Sequence, residues 1–375
     1  SVRQMLAATL ISPAFLYRSV ANPTPSDPTR IYTLSGHELA SRLSYFLWSS
    51  MPDEELRRLA DLGLLTDERV LRAQTRRMLE DPRADAFIQN FSGQWLLLRN
   101  LESLEIDRAR FPEYTDELRA DMKAEVVHFF DDIVRRDRSA YDLIDARDTF
   151  LNERLASLYG IEGVRGEGLR RVVLHDGSSR GGVLTTGAVL TVTSNPTRTS
   201  PVKRGLYVLD QMLGAPPPPP PPEIPPLEEA IRTLGPDATT REQLAAHVAD
   251  AACASCHMRM DPLGLSMEHF DAIGRFRLAE NGVPIDASGE LPSGERLNDA
   301  QDLKRVLLDR RDEFLKSLTS RLLTYALGRG TEPFDAPAIE AIASTAAAND
   351  ARFQSLIEAI VCSDTFRTCR GRETP

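Results

Sequence analysis

The chain has 375 residues, of which 42% are hydrophobic and 27% charged, so it reads as a globular protein long enough to bury a core without staples. Its 55 acidic residues outnumber its 45 basic ones for a net charge of −10, which argues against a general nucleic-acid binder and its concentrated positive surface. No run approaches about 18 consecutive apolar residues, so no transmembrane helix is predicted.

Residues 1–160 read as a helical domain. Ser35-Gly36-His37-Glu38 is a capping box, and Leu39, Leu43, Phe46 and Leu47 follow on one face. Met51-Pro52 breaks that pattern, and the next long helix is predicted from Asp67 to Leu79, stopped near Asp81-Pro82. Phe87, Phe91, Trp95 and Leu98 form a stripe on a helix over 83–98. The longest helix is predicted over 115–136, with Met122, Val126, Phe129, Phe130 and Ile133 inward, and one more over 150–159.

The character changes over 161–214, a loop-rich segment with small strands and a closing helix. Arg171-Val172-Val173-Leu174 and Gly182-Val183-Leu184 are short apolar runs amid glycine, and 190–199 is rich in Thr, Ser, Asn and Pro, which predicts loops and a small hairpin. Pro201 to Leu213 reads as a helix ended by Gly214. Residues 215–238 are a proline-rich linker or strap: the seven prolines of Pro216–Pro222 would span about 22 Å as polyproline II at about 3.1 Å per residue. The last unit, 239–375, opens with the capping box Thr239-Thr240-Arg241-Glu242, whose helix is expected to deliver a cysteine pair at its end. A turn at Asp261-Pro262 and helices over 299–308, 313–327, 337–346 and 352–362 follow.

The four cysteines form two local pairs, Cys253/Cys256 and Cys362/Cys369, a usage that suits an oxidising compartment. Cys253-Ala254-Ser255-Cys256-His257 is the attachment pattern of a c-type haem: two thiols one helical turn apart form thioethers, and the adjacent His257 becomes the proximal iron ligand. Two other uses stay open. A zinc site needs four Cys/His ligands, and a redox dithiol usually follows a strand and opens a helix. Leu263, Leu265, Phe270, Ile273 and Phe276 are expected to supply an apolar wall, and Arg275 and Arg277 to pair with haem propionates. His269 or His175 is the candidate distal ligand; five-coordinate iron is the other outcome. Glu125-x-x-His128 matches half of a di-iron signature and has no second half, so His128 is expected to be a partly buried helix residue. The polar stretch Asn195–Gly205 is expected to pack over the haem or its access channel, with Arg198, Lys203 or Arg204 near propionates, or else to be a structural crossover between the helical domain and the last unit.

Several stretches resemble known families. Ser12-Pro13-Ala14-Phe15-Leu16-Tyr17-Arg18, Glu38–Trp48 with Pro52-Asp53, and Thr199–Gly205 are similar to one family; Cys253–Arg277 is similar to a second; Leu318–Arg329 with Ser363–Arg367 is similar to a third. These are the domain-of-unknown-function families numbered 1592, 1588 and 1585, found in exported cytochrome-like proteins of planctomycetes and myxobacteria. The resemblance implies export, one covalent haem c and a multi-part protein with further segments before Ser1; it implies no established reaction. The pair Cys362/Cys369 departs from the family pattern and is expected to form a disulfide closing the tail.

The expected fold is therefore mainly α: a multi-helical array followed by a smaller α-helical c-type cytochrome-like unit, with a loop-rich middle segment. The expected function is an exported redox protein, periplasmic or at the cell surface, transferring electrons to a redox partner protein or an upstream redox module. A haem enzyme of peroxidase or oxidoreductase type is the alternative, and a structural surface protein without haem is the second. Neither nucleic acid nor a membrane span is expected as a partner.

Overall fold

Capping residues set the helix starts. Ser35 and Glu38 close a capping box that opens α2 (Gly36–Trp48), after a short N-terminal helix α1 (Val2–Leu10) and strand β1 (Ile31–Thr33). Asp53, Asp67 and Thr115 cap α3 (Glu54–Asp61), α4 (Glu68–Glu80) and α6 (Asp116–Arg135), and α5 (Asp85–Trp95) lies between the last two. These elements belong to a computed structural model that describes residues 1–12, 30–218, 238–248 and 251–370. The prolines from residue 219 onward, the rest of the expected linker to 237, and residues 13–18 lie outside the described residues.

The apolar stripes of α2, α5 and α6 meet in an aromatic core. Phe87 stands 5.5 Å from Phe46 and 5.6 Å from Phe91, Phe91 5.7 Å from Phe130, and Phe130 5.3 Å edge-on to Phe353. Phe353 opens α15 (Phe353–Cys362), near the C-terminus of the chain. Tyr325 of α13 (Arg311–Leu327) touches Phe46, Phe87 and Phe91, and Phe366 touches Phe46. The helices α12 (Ala300–Asp309), α13, α14 (Ala336–Ala347) and α15 thus complete the interior begun by α2 to α6. Glu358 of α15 pairs with Arg72 and Arg76 of α4, and Arg42 of α2 donates to the Phe366 and Thr368 carbonyls. After the short helix α16 (Asp364–Arg367), β8 (Thr368–Arg370) pairs antiparallel with β1, matching Tyr32 with Cys369.

The middle of the chain differs from its predicted form in three places. Residues 148–151 form a strand, β2 (Asp148–Leu151), rather than the start of a helix; it pairs antiparallel with β3 (Arg170–Val173), and α7 (Glu153–Tyr159) begins only after the cap Asn152. The Thr-rich stretch taken for loop overlaps a buried helix, α8 (Gly187–Val192): the flanking Thr186 and Thr193 turn their hydroxyls onto main-chain carbonyls and Thr191 turns its own onto the Met122 sulfur, so all three tolerate burial. Then α9 (Pro201–Tyr207) starts with proline in its first turn as expected, continues as a π-turn over Val208–Met212, and ends at left-handed Gly214.

The third difference concerns the cysteine pair. The capping box at Thr239 opens α10 (Thr240–His247), but that helix stops before the cysteines, and a second one, α11 (Ala251–Leu265), carries them in its first two turns. Pro262 makes no turn: α11 runs through it, forgoing one main-chain donor three residues before the helix ends. Two hairpins follow, β4 (Ala279–Glu280) with β5 (Val283–Pro284) and β6 (Gly289–Glu290) with β7 (Arg296–Leu297). The molecule is mainly helical, with loop-rich stretches and small two-stranded sheets. Among the described residues no helix is long and apolar enough to cross a membrane.

Candidate functional site

A helix places residues three and four apart on one face, and α11 uses both spacings. Cys253 and Cys256 are one turn apart, and His257 and Asp261 are one turn apart. The Cys253 side chain lies outside the described residues; Cys256 is half-buried against the edge of the core and carries a thiol. His257 Nδ1 is 2.9 and 3.0 Å from the two carboxylate oxygens of Asp261, and the two side chains are only 12% and 11% exposed. A carboxylate only accepts, so Nδ1 donates and the lone pair of the neutral ring lies on Nε2.

The helix is seated by close backbone contact. A Cβ on Gly264 would lie 1.8 Å from the Pro201 carbonyl oxygen, and one on Gly205 would lie 2.0 Å from that of Met260, so α9 and α11 cross at a distance only glycine permits. The Asn195–Gly205 stretch thus crosses α11 at its backbone, as a structural crossover would. Its basic residues do other work than expected. Arg204 is fully buried and donates to the carbonyls of Met267 (2.7 Å), Phe270 (2.8 Å) and Asp271 (2.9 Å), with Glu268 3.5 Å away. Burial brings its guanidinium down to about 10, still well above neutrality, and pushes the Glu268 carboxyl up against the pull of Arg204 and Arg277. Arg204 therefore organises the loop after α11. Lys203 reaches the Ser194 carbonyl, with burial lowering its ammonium, and Arg198 bonds its neighbour Thr199.

That loop holds the other expected contacts. Arg277 pairs with Glu268 at 2.8 Å and also meets Glu280, while Arg275 pairs with Asp271 at 3.0 Å and Glu113 at 2.7 Å. A propionate at either arginine would compete with a carboxylate already in place. Of the expected apolar wall, Leu263, Leu265, Phe270 and Ile273 are buried; Phe276 is exposed, as are Leu278, Val283 and Met258 nearby in sequence. His269 is half-buried, stacked on Phe276 with ring centroids 5.7 Å apart, and burial lowers its imidazole. His175 is an exposed side chain in the turn after β3, its Nδ1 3.0 Å from the Asp176 carbonyl. His128 is a helix residue as expected, but exposed rather than partly buried, its ring stacked on Phe150. The expected disulfide between Cys362, at the end of α15, and Cys369, opposite Tyr32 in β8, is not formed.

Two features escaped the sequence reading. Asp261 was legible as an i,i+4 partner of His257, but the proline after it pointed to a turn. The second is a buried cluster. Glu125 of α6 accepts from Tyr159 and from Thr149 (2.7 Å), Tyr159 also accepts from the Gly187 main chain, and the Arg180 guanidinium lies 3.6 Å over the Tyr159 ring and 4.8 Å over that of Phe270. Burial pushes Glu125 up to about 7 and lowers Arg180. Two cavities of about 580 and 650 Å3 lie elsewhere, one between Glu113, Asn152, Arg154 and Arg275, the other between Asp210, Lys316 and Arg321; neither is lined by Cys256 or His257.

Three family models match the chain in succession. Protein of unknown function (DUF1592) matches residues 34–161, Protein of unknown function (DUF1588) residues 180–280, and Protein of unknown function (DUF1585) residues 293–366. No curated protein and no solved structure matches the chain. Glu125 falls in the first matched segment, the cysteine pair with His257 and Asp261 in the second, and the helices that close the aromatic core in the third; the chain belongs to the proteins that carry the families of unknown function 1592, 1588 and 1585 in this order.

Proposed function

We propose that the chain is an extracytoplasmic redox protein, periplasmic or at the cell surface, that carries one covalent haem c in a cytochrome-like unit centred on α11 and passes single electrons to a partner protein or module. The observation that carries this reading is the donor set on that helix: thiols at i and i+3, and an imidazole at i+4 whose Nδ1 is held by Asp261 and whose Nε2 is the basic nitrogen. In this reading Cys253 and Cys256 form the thioethers and His257 is the proximal ligand. The group supplies a one-electron ferric/ferrous couple when bound. The chain's own residues do the rest: the glycine crossing with α9 fixes the helix, Arg204 fixes the loop behind it, and exposed Phe276, Leu278 and Val283 offer apolar surface beside it. Arg275 and Arg277 would bind propionates only by sharing them with Asp271 and Glu268. Of the two distal candidates, His269, in the loop that follows α11, is favoured over His175 in the turn after β3.

The test is the pyridine haemochrome spectrum, with a haem stain on a denaturing gel, of protein matured by a c-type assembly system. A c-type spectrum and a stained band that are both lost in Cys253→Ala/Cys256→Ala are expected. A colourless protein from a host that matures a control cytochrome would overturn the reading in favour of a structural surface protein. Carbon monoxide binding by the ferrous protein then separates an enzyme with open iron from a six-coordinate electron carrier.

A further inference from the structure

We infer that Asp261 is a positioning residue for the proximal imidazole, setting its orientation and its donor strength so as to hold the potential of the centre low. The inference rests on the haem reading and goes beyond it, since the attachment pattern specifies only Cys253, Cys256 and His257.

The geometry is specific. Both Asp261 oxygens lie within 3.0 Å of His257 Nδ1, and among the described residues the Asp261 side chain meets no other donor. Its charge is thus directed at one imidazole, in a place where both side chains are nearly out of water and where the interaction is weakly screened. The i,i+4 spacing on a helix locked by Gly205 and Gly264 fixes the ring plane as well as the tautomer. Pro262 leaves the Met258 carbonyl without its helical donor one turn back, yet α11 continues through it, and Asp261 stays on the His257 face. A carboxylate on the far nitrogen makes a ligating imidazole more basic. A more basic ligand, and the negative charge behind it, favours the higher-charged ferric form over the ferrous form that results from gain of one electron, so the potential falls. A main-chain carbonyl in the same position would have far less effect, because it carries no net charge.

The experiment uses matured holoprotein and the variants Asp261→Asn and Asp261→Glu. Haem content by pyridine haemochrome is measured first, then the midpoint potential by spectroelectrochemical titration, with thermal midpoints alongside. The expected result is covalent haem in all three, a potential shifted upward in Asp261→Asn, and a potential returned toward the parent in Asp261→Glu, whose longer carboxylate still reaches Nδ1. Equal potentials in haem-loaded parent and Asp261→Asn would overturn the assignment while leaving the haem reading intact, and would mark the contact as a helix-stabilising pair even if the thermal midpoint falls. Parent protein without haem would overturn the haem reading and the assignment together. Should Asp261→Asn not mature, Asp261→Ser is the second variant: it retains a neutral polar group, and the same upward shift is expected of it, with an unchanged potential again counting against the role.

Discussion

The aromatic body and the cysteine-bearing segment are built from different materials. In the body, Phe46, Phe87, Phe91, Trp95, Phe130, Tyr325, Phe353 and Phe366 pack ring against ring, the Trp48 and Trp95 indoles each donate to one main-chain carbonyl, and the charges of Arg42 and Glu358 enter from the edge. In the segment around α11 the interior is ionic: Arg204, Glu268, Asp271, Arg180 and the His257–Asp261 pair are all buried or nearly so, and backbones touch at glycine. The two designs respond to damage differently. A lost ring leaves a cavity whose cost grows with its volume. A lost charge leaves its partners in a low-dielectric interior with nothing to meet them.

The comparison can be broken at its strongest point first. Phe130→Ala should destabilise by about 4 kcal/mol, seen as a lower urea midpoint, with tryptophan fluorescence and far-ultraviolet dichroism moving together. Fluorescence and dichroism transitions that separate would mean that the rings of the body and of α15 unfold independently. Arg204→Met should lower stability by about 3 kcal/mol, because three carbonyls and Glu268 lose a buried cation that methionine fills only in volume. Hydrogen exchange should then quicken over 266–277 before it does over 116–135, and a stability equal to the parent's would show that packing, not charge, holds that loop.

The junction of the two regions has its own signature in pH. Burial holds the Glu125 carboxyl protonated up to about 7, against an ordinary value of 4.5. The folded state therefore binds a proton that the unfolded chain releases. The sign follows: this contribution is fully present below 4.5 and is lost as pH rises through 7, by about 3 kcal/mol in all. Glu125→Gln should flatten this part of the slope in urea midpoints taken from pH 4 to 8, and parallel slopes for parent and variant would remove Glu125 as its source. The smallest effect is expected at the rim. Arg296→Ala should leave the midpoint unchanged, since its pairing with Glu290 is exposed on both sides.

Legibility follows the same divide. The helix over Asp116–Arg135 and its inward residues were readable because five apolar positions recur at helical spacing behind a threonine cap. β2 was not, because Asp148-Thr149-Phe150-Leu151 becomes a strand only when Arg170–Val173 returns to pair with it. Cys253, Cys256 and His257 were readable as a spacing, whereas the role of Arg204 was not: an arginine beside a glycine in a proline-punctuated stretch looks like surface. Only the approach of α11 to α9 turns it inward onto three carbonyls.

By itself, then, the sequence determined what depends on neighbours along the chain: where helices start, which faces are apolar, and which thiols and imidazole share a turn. These rest on periodicity and on capping groups within about four residues of each other. The tertiary structure alone decided that residues 300–367 finish the core of residues 36–135, that α11 seats its backbone against α9, and that Arg204 and Arg180 lie in the interior. Each of these joins groups far apart in sequence, or sets a buried charge against its desolvation cost. That balance exists only once the partner is in place.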